Sequence, residues 1–496
     1  MIYHSTRNKK EKADSKEAIL KGLCDDGGLF VSDRLREVSL DLNEISGLSY
    51  KETAKKIFSL LLDDYTKEEL TAAVESAYTG SFDTESITPL SSIGDDFLLE
   101  LYHGPTCAFK DVALQMLPQL MSKALKGSGK KILIVTATSG DTGKAALEGF
   151  RDVDDIGIIV FYPYKKVSDI QYLQMATQEG KNVEVCAING NFDDAQSGVK
   201  RLFSSDACKK LSASGISLSS ANSINIGRLV PQTVYYFESY KRLCHENIIK
   251  PGDEVDFCVP TGNFGDVLAG YYAKLMGLPV HSLIVASNEN NVLTDFLTTG
   301  VYDRNREFRK TISPSMDILI SSNLERMLYY ISGGDCDLIS ELMKNLSETG
   351  RYEISPELLS KVQEIFKSGY ANDRETKEAI RRAYNDTGRL IDPHTAVGYK
   401  VMRENKTEGI PCVLLSTASP YKFCKDVHEA IFDEKEKDSA GKDGFYYMEK
   451  LSEGTGTAAP ESLRSLKSKP VIRKDLIDIE DMGGYILKKA HEDMIF

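Results

Sequence analysis

The sequence HGPTCAFKD, residues 103–111, places Lys110 directly after a turn of small residues. Gly104 and Pro105 shape this turn, and an amphipathic pattern that predicts a helix follows it. A lysine held at a helix start and partly removed from water has a lowered pKa, so its amine is free to form an imine with a carbonyl compound. A solvated surface lysine is the alternative interpretation of this residue taken alone.

Two glycine-containing loops follow along the chain, each after an apolar run of strand length. The first, residues 136–143, reads TATSGDTG, and the second, residues 261–266, reads TGNFGD. Backbone amides at a helix start bind phosphate or carboxylate, and glycine lets the backbone approach the anion closely. Ordinary strand-to-helix turns capped by Ser or Thr give the same pattern. One reactive amine with two anion-binding loops is nevertheless what pyridoxal phosphate (PLP) chemistry on an anionic substrate requires.

Three further segments place polar side chains at predicted element ends. Residues 223–228 (SINIGR) supply a hydroxyl and an arginine, which either binds phosphate bidentately or is an exposed residue at a helix start. Residues 416–420 (STASP) end a predicted strand, and a hydroxyl there either meets a pyridine nitrogen or caps a helix. His394, in DPHTA at 392–396, is interpreted as a structural histidine near a helix start.

Composition excludes several classes of protein. The chain has 496 residues, enough for two or three domains, and its 41% hydrophobic and 27% charged residues are typical of soluble globular proteins. The formal net charge of -13 disfavours nucleic acid and anionic membranes as partners. Nine cysteines without C-x-x-C spacing favour reduced thiols, with neither a disulfide framework nor a metal site. Since no apolar run suits a membrane helix or a signal peptide, we expect a cytoplasmic protein.

Strand and helix patterns alternate through the middle of the chain. Runs of strand length lie at 131–137, 156–161, 182–188, 255–259, 281–286 and 411–416. This alternation predicts parallel sheets covered by helices, which bind ligands outside the carboxyl ends of their strands. We expect a mostly helical N-terminal domain over 1–96, a core of two α/β lobes over 97–428, and a charged loop with a C-terminal segment over 429–496. Residues 313–382 are expected to be largely helical.

Taken together and in order, these segments resemble the threonine synthases of the PLP-dependent fold type II family. The similarity runs from residue 3 to past residue 420, and the long N-terminal region is similar to that of the microbial and fungal subgroup. The matching segments are 3–7, 103–111, 136–143, 222–228, 262–266, 316–318, 322–326, 392–396 and 417–423. The resemblance implies an α/β fold like that of the tryptophan synthase β subunit, with two open, parallel-type sheet lobes and the site in the cleft between them.

The resemblance also implies a role for individual residues. Lys110 would hold PLP as a Schiff base and move protons, Thr417 would face the pyridine nitrogen, and Asp141 would lie near the ring hydroxyl. The cofactor phosphate would bind to backbone amides of Gly262, Asn263, Phe264, Gly265 and Asp266. The substrate carboxylate or phosphate would meet Thr138, Ser139 and Thr142. The phosphate of O-phosphohomoserine would meet Ser223, Arg228 and Asn263.

The implied reaction converts O-phospho-L-homoserine and water to L-threonine and phosphate, the last step of threonine biosynthesis, in a monomer or homodimer. A phospholyase that releases 2-oxobutyrate is the nearest alternative. A serine or threonine dehydratase leaves Ser223 and Arg228 unexplained, and a non-catalytic metabolite-binding protein has no need of Lys110. Two positions depart from the family pattern: Cys107 stands where leucine is common, and Ser419 stands where histidine is common.

Overall fold

The strands of the chain form two parallel sheets and smaller antiparallel pairings. The computed structural model describes residues 1–138, 140–432, 442–491 and 495–496, so Ser139 and the charged run at 433–438 lie outside the described residues. The strands are β1 (Tyr3–Ser5), β2 (Lys12–Ala13), β3 (Phe30–Val31), β4 (Leu90–Ile93), β5 (Asp96–Glu100), β6 (Lys131–Ala137), β7 (Ile156–Pro163), β8 (Val183–Ile188), β9 (Ile216–Ser219), β10 (Val255–Pro260), β11 (Val280–Ser287), β12 (Val301–Asp303), β13 (Arg351–Glu353), β14 (Phe366–Tyr370), β15 (Cys412–Ser416) and β16 (Asp475–Ile477).

Helices connect these strands and cover the sheets. They are α1 (Ser15–Lys21), α2 (Leu42–Ile45), α3 (Tyr50–Leu61), α4 (Lys67–Tyr78), α5 (Lys110–Leu125), α6 (Asp141–Phe150), α7 (Asp169–Ala176), α8 (Phe192–Leu202), α9 (Asp206–Ala213), α10 (Ile226–His245), α11 (Gly265–Leu275), α12 (Val292–Thr299), α13 (Leu324–Ile331), α14 (Cys336–Thr349), α15 (Pro356–Gln363), α16 (Asp373–Thr387), α17 (Pro393–Asn405), α18 (Cys424–Phe432), α19 (Gly444–Thr455), α20 (Glu461–Arg464) and α21 (Met482–His491). Short 3-10 helices include Pro314–Met316 and Pro420–Phe423.

The two parallel sheets define the α/β lobes. One sheet has the strand order β14-β11-β10-β15-β5-β4, in which only the edge pair β4–β5 is antiparallel. The other has the order β16-β8-β7-β6-β9 and is parallel throughout. All residues of β7, β8 and β10 are buried, since helices cover both faces, and this explains their near-continuous apolar sequences.

The N-terminal region combines helices with a small sheet. Strands β2, β1 and β3 pair antiparallel, while α3 packs on α10 and α4 packs on α5. Helix α3 begins at a capping box between Ser49 and Glu52 and buries one apolar face that includes Ile57, Phe58 and Leu61. This packing attaches the N-terminal helices to the helix that begins at Lys110.

The α/β architecture with two parallel-type sheets is confirmed. All six predicted strands are present, and a capping box between Ser168 and Gln171 opens α7. The expectation that 313–382 is largely helical was incomplete, because β13 and the sheet strand β14 lie within it. The division at 96 and 428 stays a prediction; β4 already pairs in the six-stranded sheet, and β16 joins the five-stranded one. Among the described helices, none has the length and apolar character needed to cross a membrane.

Candidate active site

The turn before Lys110 is held against the loop that follows β15. The amide of Phe109 donates to the carbonyl of Thr417 over 2.8 Å, and the amide of Ser419 donates to the carbonyl of Cys107 over 3.1 Å. Cys107 adopts a left-handed backbone conformation with φ of 58°, which costs a residue with a side chain about 1 kcal/mol or more. Strained residues of this kind cluster where a side chain must be aimed, and here the turn directs Lys110 inward.

Lys110 is a buried amine with few partners. Its Nζ donates to the hydroxyl of Ser315 over 3.2 Å and lies 3.8 Å from Oδ2 of Asp141. Burial lowers the pKa of Lys110 to about 8; Asp141 opposes this shift, while Lys422 and Arg228 add to it. The neutral fraction of this amine near physiological pH is therefore much larger than that of an ordinary lysine, and the neutral form is the one that imine formation requires.

Asp141 is shared between two ammonium groups. Its Oδ1 lies 2.8 Å from Nζ of Lys422 and accepts a 3.3 Å bond from Gln171, while Oδ2 accepts from Ser315 over 3.4 Å. Burial alone raises the pKa of this carboxyl, but the positive charges of Lys422 and Lys110 outweigh burial and hold the pKa below its usual range. Asp141 is consequently a carboxylate.

The second glycine loop forms a group of free amides at the start of α11. None of the amide N–H groups of residues 263–267 donates to another residue in the described ranges. Gly262 is packed so closely that a Cβ there would lie 2.8 Å from the carbonyl oxygen of Ser315, and Phe264 has a φ of 60°. Asn323 fixes the loop, because its Nδ2 donates to the carbonyls of both Asn263 and Ser223. This geometry suits an anion held by backbone amides.

The carboxyl group of Asp266 is directed toward α10 and not toward the other predicted site residues. Its Oδ1 accepts from the phenols of Tyr235 over 2.5 Å and Tyr236 over 3.0 Å, while Oδ2 is buried without a partner in the described part of the chain. Burial raises the pKa of Asp266 to about 6, against the lowering effect of the two phenols and of Lys110.

The first glycine loop closes onto the start of α6. The hydroxyl of Thr138 accepts from the amides of Gly140 and Gly143, both over 3.0 Å, so it caps the helix as the simpler interpretation of this loop expects. Thr142 lies half-buried in the first turn of α6. The loop therefore places Thr138 and Thr142 beside Asp141, which is the first residue of the helix.

Arg228 is a buried cation with an unused donor. Its Nη1 donates to the carbonyl of Ala221 over 3.0 Å, and its Nε has no partner among the described residues. Burial lowers the pKa of Arg228 to about 10, and its charge acts on Lys110. A buried guanidinium with a free donor is suited to an anionic ligand.

Thr417 and His394 complete the surroundings of Lys110. The Thr417 hydroxyl makes no hydrogen bond to the residues that the structure describes, so it is available to a ligand. His394 is buried; its Nδ1 lies 2.6 Å from Asp392, and its Nε2 accepts from the amide of Ser315 over 3.1 Å. His394 thus donates through Nδ1 as a neutral imidazole and holds the segment that carries Ser315.

These residues fit PLP on their own chemistry. The buried amine of Lys110, whose pKa is lowered to about 8, matches the aldehyde of that cofactor. The amides at 263–267 and the hydroxyl of Thr417, which have no partner among the described residues, match its phosphate and its ring nitrogen. The unpaired Nε of Arg228 leaves a further anion-binding group for the substrate.

Similarity to known proteins agrees with the site. The chain is 39% identical over 436 residues to a threonine synthase of Pseudomonas aeruginosa, a match that covers 87% of this chain and 90% of the relative. Threonine synthase-like 1 of Homo sapiens is 39% identical over 428 residues, which cover 84% of this chain and 58% of that protein. A solved PLP-bound threonine synthase from Brucella melitensis matches with a TM-score of 0.88 and 36% identity, covering 99% of this chain and 100% of its own.

Residues 87–415 match the family of pyridoxal-phosphate dependent enzymes, so the fold and the site define a PLP-dependent enzyme of fold type II. Residues 2–78 match the threonine synthase N terminus, and residues 395–476 match the threonine synthase C-terminal region. The chain belongs to the threonine synthase family.

The sequence analysis did not identify several residues of this cluster as site residues. Lys422 and Ser315 contact Asp141, and Gln171 donates to it. Asn323 bridges the segments that contain Ser223 and Asn263. Lys422 and Asn323 stood within segments that matched the family, but their types alone did not separate a buried partner from a surface residue. Ser315 had no such signal, because its contact depends on how residues 313–317 fold back over the glycine loop.

Proposed function

We propose that the protein is a threonine synthase that converts O-phospho-L-homoserine and water to L-threonine and phosphate. The observation that carries the proposal is the buried amine of Lys110, whose pKa is lowered to about 8, beside the carboxylate of Asp141. The guanidinium of Arg228, whose Nε has no partner among the described residues, acts electrostatically on the same amine. An amine, a carboxylate and a buried anion-binding group are the parts that a PLP enzyme acting on a phosphorylated amino acid needs.

We assign the cofactor contacts as follows. Lys110 binds the aldehyde carbon, Thr417 meets the ring nitrogen, and Asp141 lies near the ring hydroxyl. The loop Gly262, Asn263, Phe264, Gly265 and Asp266 binds the phosphate through main-chain amides, and the free amides at 263–267 support this assignment. The Asp266 carboxyl itself is bonded to tyrosines of α10, so its contribution to the loop is its amide.

When bound, PLP draws electrons away from the substrate Cα and thereby makes the protons on neighbouring carbons acidic. Lys110 Nζ removes the Cα proton, because it is the buried base at the site and is neutral above a pKa of about 8. In the net change the Cγ–O bond breaks and phosphate leaves with its electron pair. Cβ loses one proton and takes up the hydroxyl of water, the remaining proton of water goes to the phosphate, and Cγ and Cα each gain a proton. Thr138, Ser139 and Thr142 are proposed to bind the substrate carboxylate or phosphate.

Arg228, Ser223 and Asn263 are proposed to hold the substrate phosphate. A departing phosphate that stays bound to Arg228 remains close to Cβ, where it can orient the attacking water. Retention of phosphate would therefore favour threonine over the oxoacid that the same chemistry forms when water does not add.

A phospholyase that releases 2-oxobutyrate is the second candidate. The site geometry fits this reaction as well, because it needs the same buried amine of Lys110 and the same anion-binding guanidinium of Arg228. Product identity separates the two. Purified PLP-loaded protein is incubated with O-phosphohomoserine, and threonine, phosphate and 2-oxobutyrate are measured together. Equal threonine and phosphate support the synthase, 2-oxobutyrate with phosphate supports the phospholyase, and no turnover refutes both.

Three broader expectations remain proposals. All nine cysteines are free thiols, which supports a reducing compartment such as the cytoplasm. A monomer or homodimer is expected. The boundaries at 96 and 428 divide an N-terminal domain and a C-terminal segment from the PLP-binding core.

A further inference from the structure

Lys422 is a buried cation next to the proposed site. The exposed fraction of its side chain is 0%, and its Nζ makes two contacts: 2.8 Å to Oδ1 of Asp141 and 2.9 Å to the carbonyl of Thr106. Burying an ammonium group costs free energy unless the group is paired, so the burial of Lys422 calls for an explanation. The assigned cofactor and substrate contacts make no use of it.

The two lysines hold different oxygens of one carboxylate. Lys422 lies 2.8 Å from Oδ1, whereas Lys110 lies 3.8 Å from Oδ2 and reaches it through the hydroxyl of Ser315. Asp141 is thus committed to Lys422 and stays beyond direct hydrogen-bond distance of Lys110. A lone Asp141 would form the tight ion pair with Lys110 and hold it as an ammonium, which cannot attack an aldehyde.

We propose that Lys422 is a positioning residue that keeps Asp141 from pairing tightly with Lys110, so that the Lys110 amine stays neutral and able to capture the cofactor aldehyde. In that capture the amine nitrogen forms a C=N bond to the aldehyde carbon, and the two amine protons leave with the aldehyde oxygen as water. The inference rests on the proposed function, since it concerns the same lysine.

The charges around Lys110 agree with this role. Lys422 and Arg228 lower the pKa of Lys110 further than burial alone does, whereas Asp141 raises it. Removing Lys422 deletes one of these positive charges and also frees the carboxylate, and both changes favour the ammonium form. The titratable or charged groups that act on this pair are Asp111, Asp141, Arg228, Asp266, His394 and Lys422.

The test is the pH dependence of PLP capture by the apoprotein, which needs no substrate. PLP is mixed with apoprotein between pH 6.5 and 10, the rate of imine absorbance is followed, and borohydride reduction with peptide mapping identifies the labelled lysine. Lys422→Met is expected to move the midpoint of the rate profile upward by about one pH unit, so that capture at pH 7.5 slows roughly tenfold and recovers at high pH. Lys422→Arg retains a buried cation and should keep the wild-type midpoint.

A double variant separates the electrostatic role of Lys422 from a merely structural one. In Asp141→Asn/Lys422→Met the carboxylate is absent, so the midpoint should return toward or below that of the wild type. A Lys422→Met midpoint equal to that of the wild type would overturn the proposal, as would a loss of rate that is uniform with pH, since that indicates a merely structural role. A label on Lys422 would also overturn it. Failure of the proposed function would appear separately, as normal PLP capture with no conversion of O-phosphohomoserine.

Discussion

The carboxylate of Asp266 accepts a hydrogen bond of 2.5 Å from the phenol of Tyr235, at the first turn of the helix whose amides form the anion loop. A second phenol, from Tyr236, reaches the same oxygen, and the other carboxylate oxygen has no partner in the described residues. A negative charge is therefore buried beside a site that is proposed to bind a phosphate. Burying this charge lowers the free energy of unfolding by an amount that can be measured.

The first prediction concerns the pH dependence of stability at Asp266. The folded pKa of about 6 lies above the ordinary pKa of an unfolded aspartate, so the group stabilises the fold at low pH and this contribution is lost as pH rises through 6. Between pH 5 and 7.5 the loss amounts to about 1–1.5 kcal/mol. Asp266→Asn should lack this loss, measured as urea unfolding midpoints of the apoprotein. The exposed Asp154→Asn serves as the control, and parallel pH profiles for wild type and Asp266→Asn would contradict the prediction.

The second prediction concerns the close approach of Gly262 to Ser315. An added Cβ would lie 2.8 Å from a backbone carbonyl oxygen, and the same serine contacts Lys110. Gly262→Ala should therefore destabilise the protein by about 1–3 kcal/mol and weaken PLP binding at least tenfold, measured by fluorescence titration of the apoprotein. Gly47→Ala, at a glycine with open space around it, should change neither quantity. Unaltered PLP affinity in Gly262→Ala would show that the loop tolerates displacement.

The third prediction concerns the role of Arg228 in retaining the departing phosphate. Arg228→Ala removes the buried donor proposed to hold the departing phosphate, so the share of 2-oxobutyrate among the products should rise, or phosphate release should cease. Arg228→Lys, which keeps a charge but loses the guanidinium fork, should be intermediate. Arg242→Ala, near the exposed end of α10, is the matched control. The same product ratio and rate in Arg228→Ala would refute the phosphate role.

The fourth prediction concerns the attachment of the C-terminal segment. Arg473 donates to the carbonyls of Gln178 and Gly180 and pairs with Glu184 over 3.1 Å, just before β16 joins the sheet. Arg473→Ala should lower the free energy of opening of this segment by about 1–3 kcal/mol, seen as faster amide hydrogen exchange in β16.

Arg464→Ala provides the control for that measurement, because Arg464 is exposed and, among the described residues, its side chain pairs only with Glu461. Exchange in β16 that is equally fast in both variants would show that strand pairing alone holds the segment.

The site was predictable in part from local sequence. Lys110 and the 261–266 loop carry local signals, a turn before a helix and a glycine loop after a strand, and each lies in the predicted structural context. Each signal alone had an ordinary structural alternative, and the family resemblance supplied the expected roles. Asp266 shows the limit of such signals. The resemblance implied that its backbone amide binds the cofactor phosphate, but nothing in the sequence indicated where its carboxyl lies. The two tyrosines that bind the carboxyl come from α10, and their approach depends on how two helices pack.

The sequence by itself determined the order of the central strands and helices, the glycine loops and the place of Lys110 at a helix start, because each follows from periodicity, turn chemistry and residue type over a few positions. Only the tertiary structure decided that Lys422 and Lys110 share Asp141 and that Ser315 lies between them. These contacts join residues far apart in the chain. Their energies depend on burial, which removes the solvent that would otherwise screen the charges, and burial is a property of the packed fold.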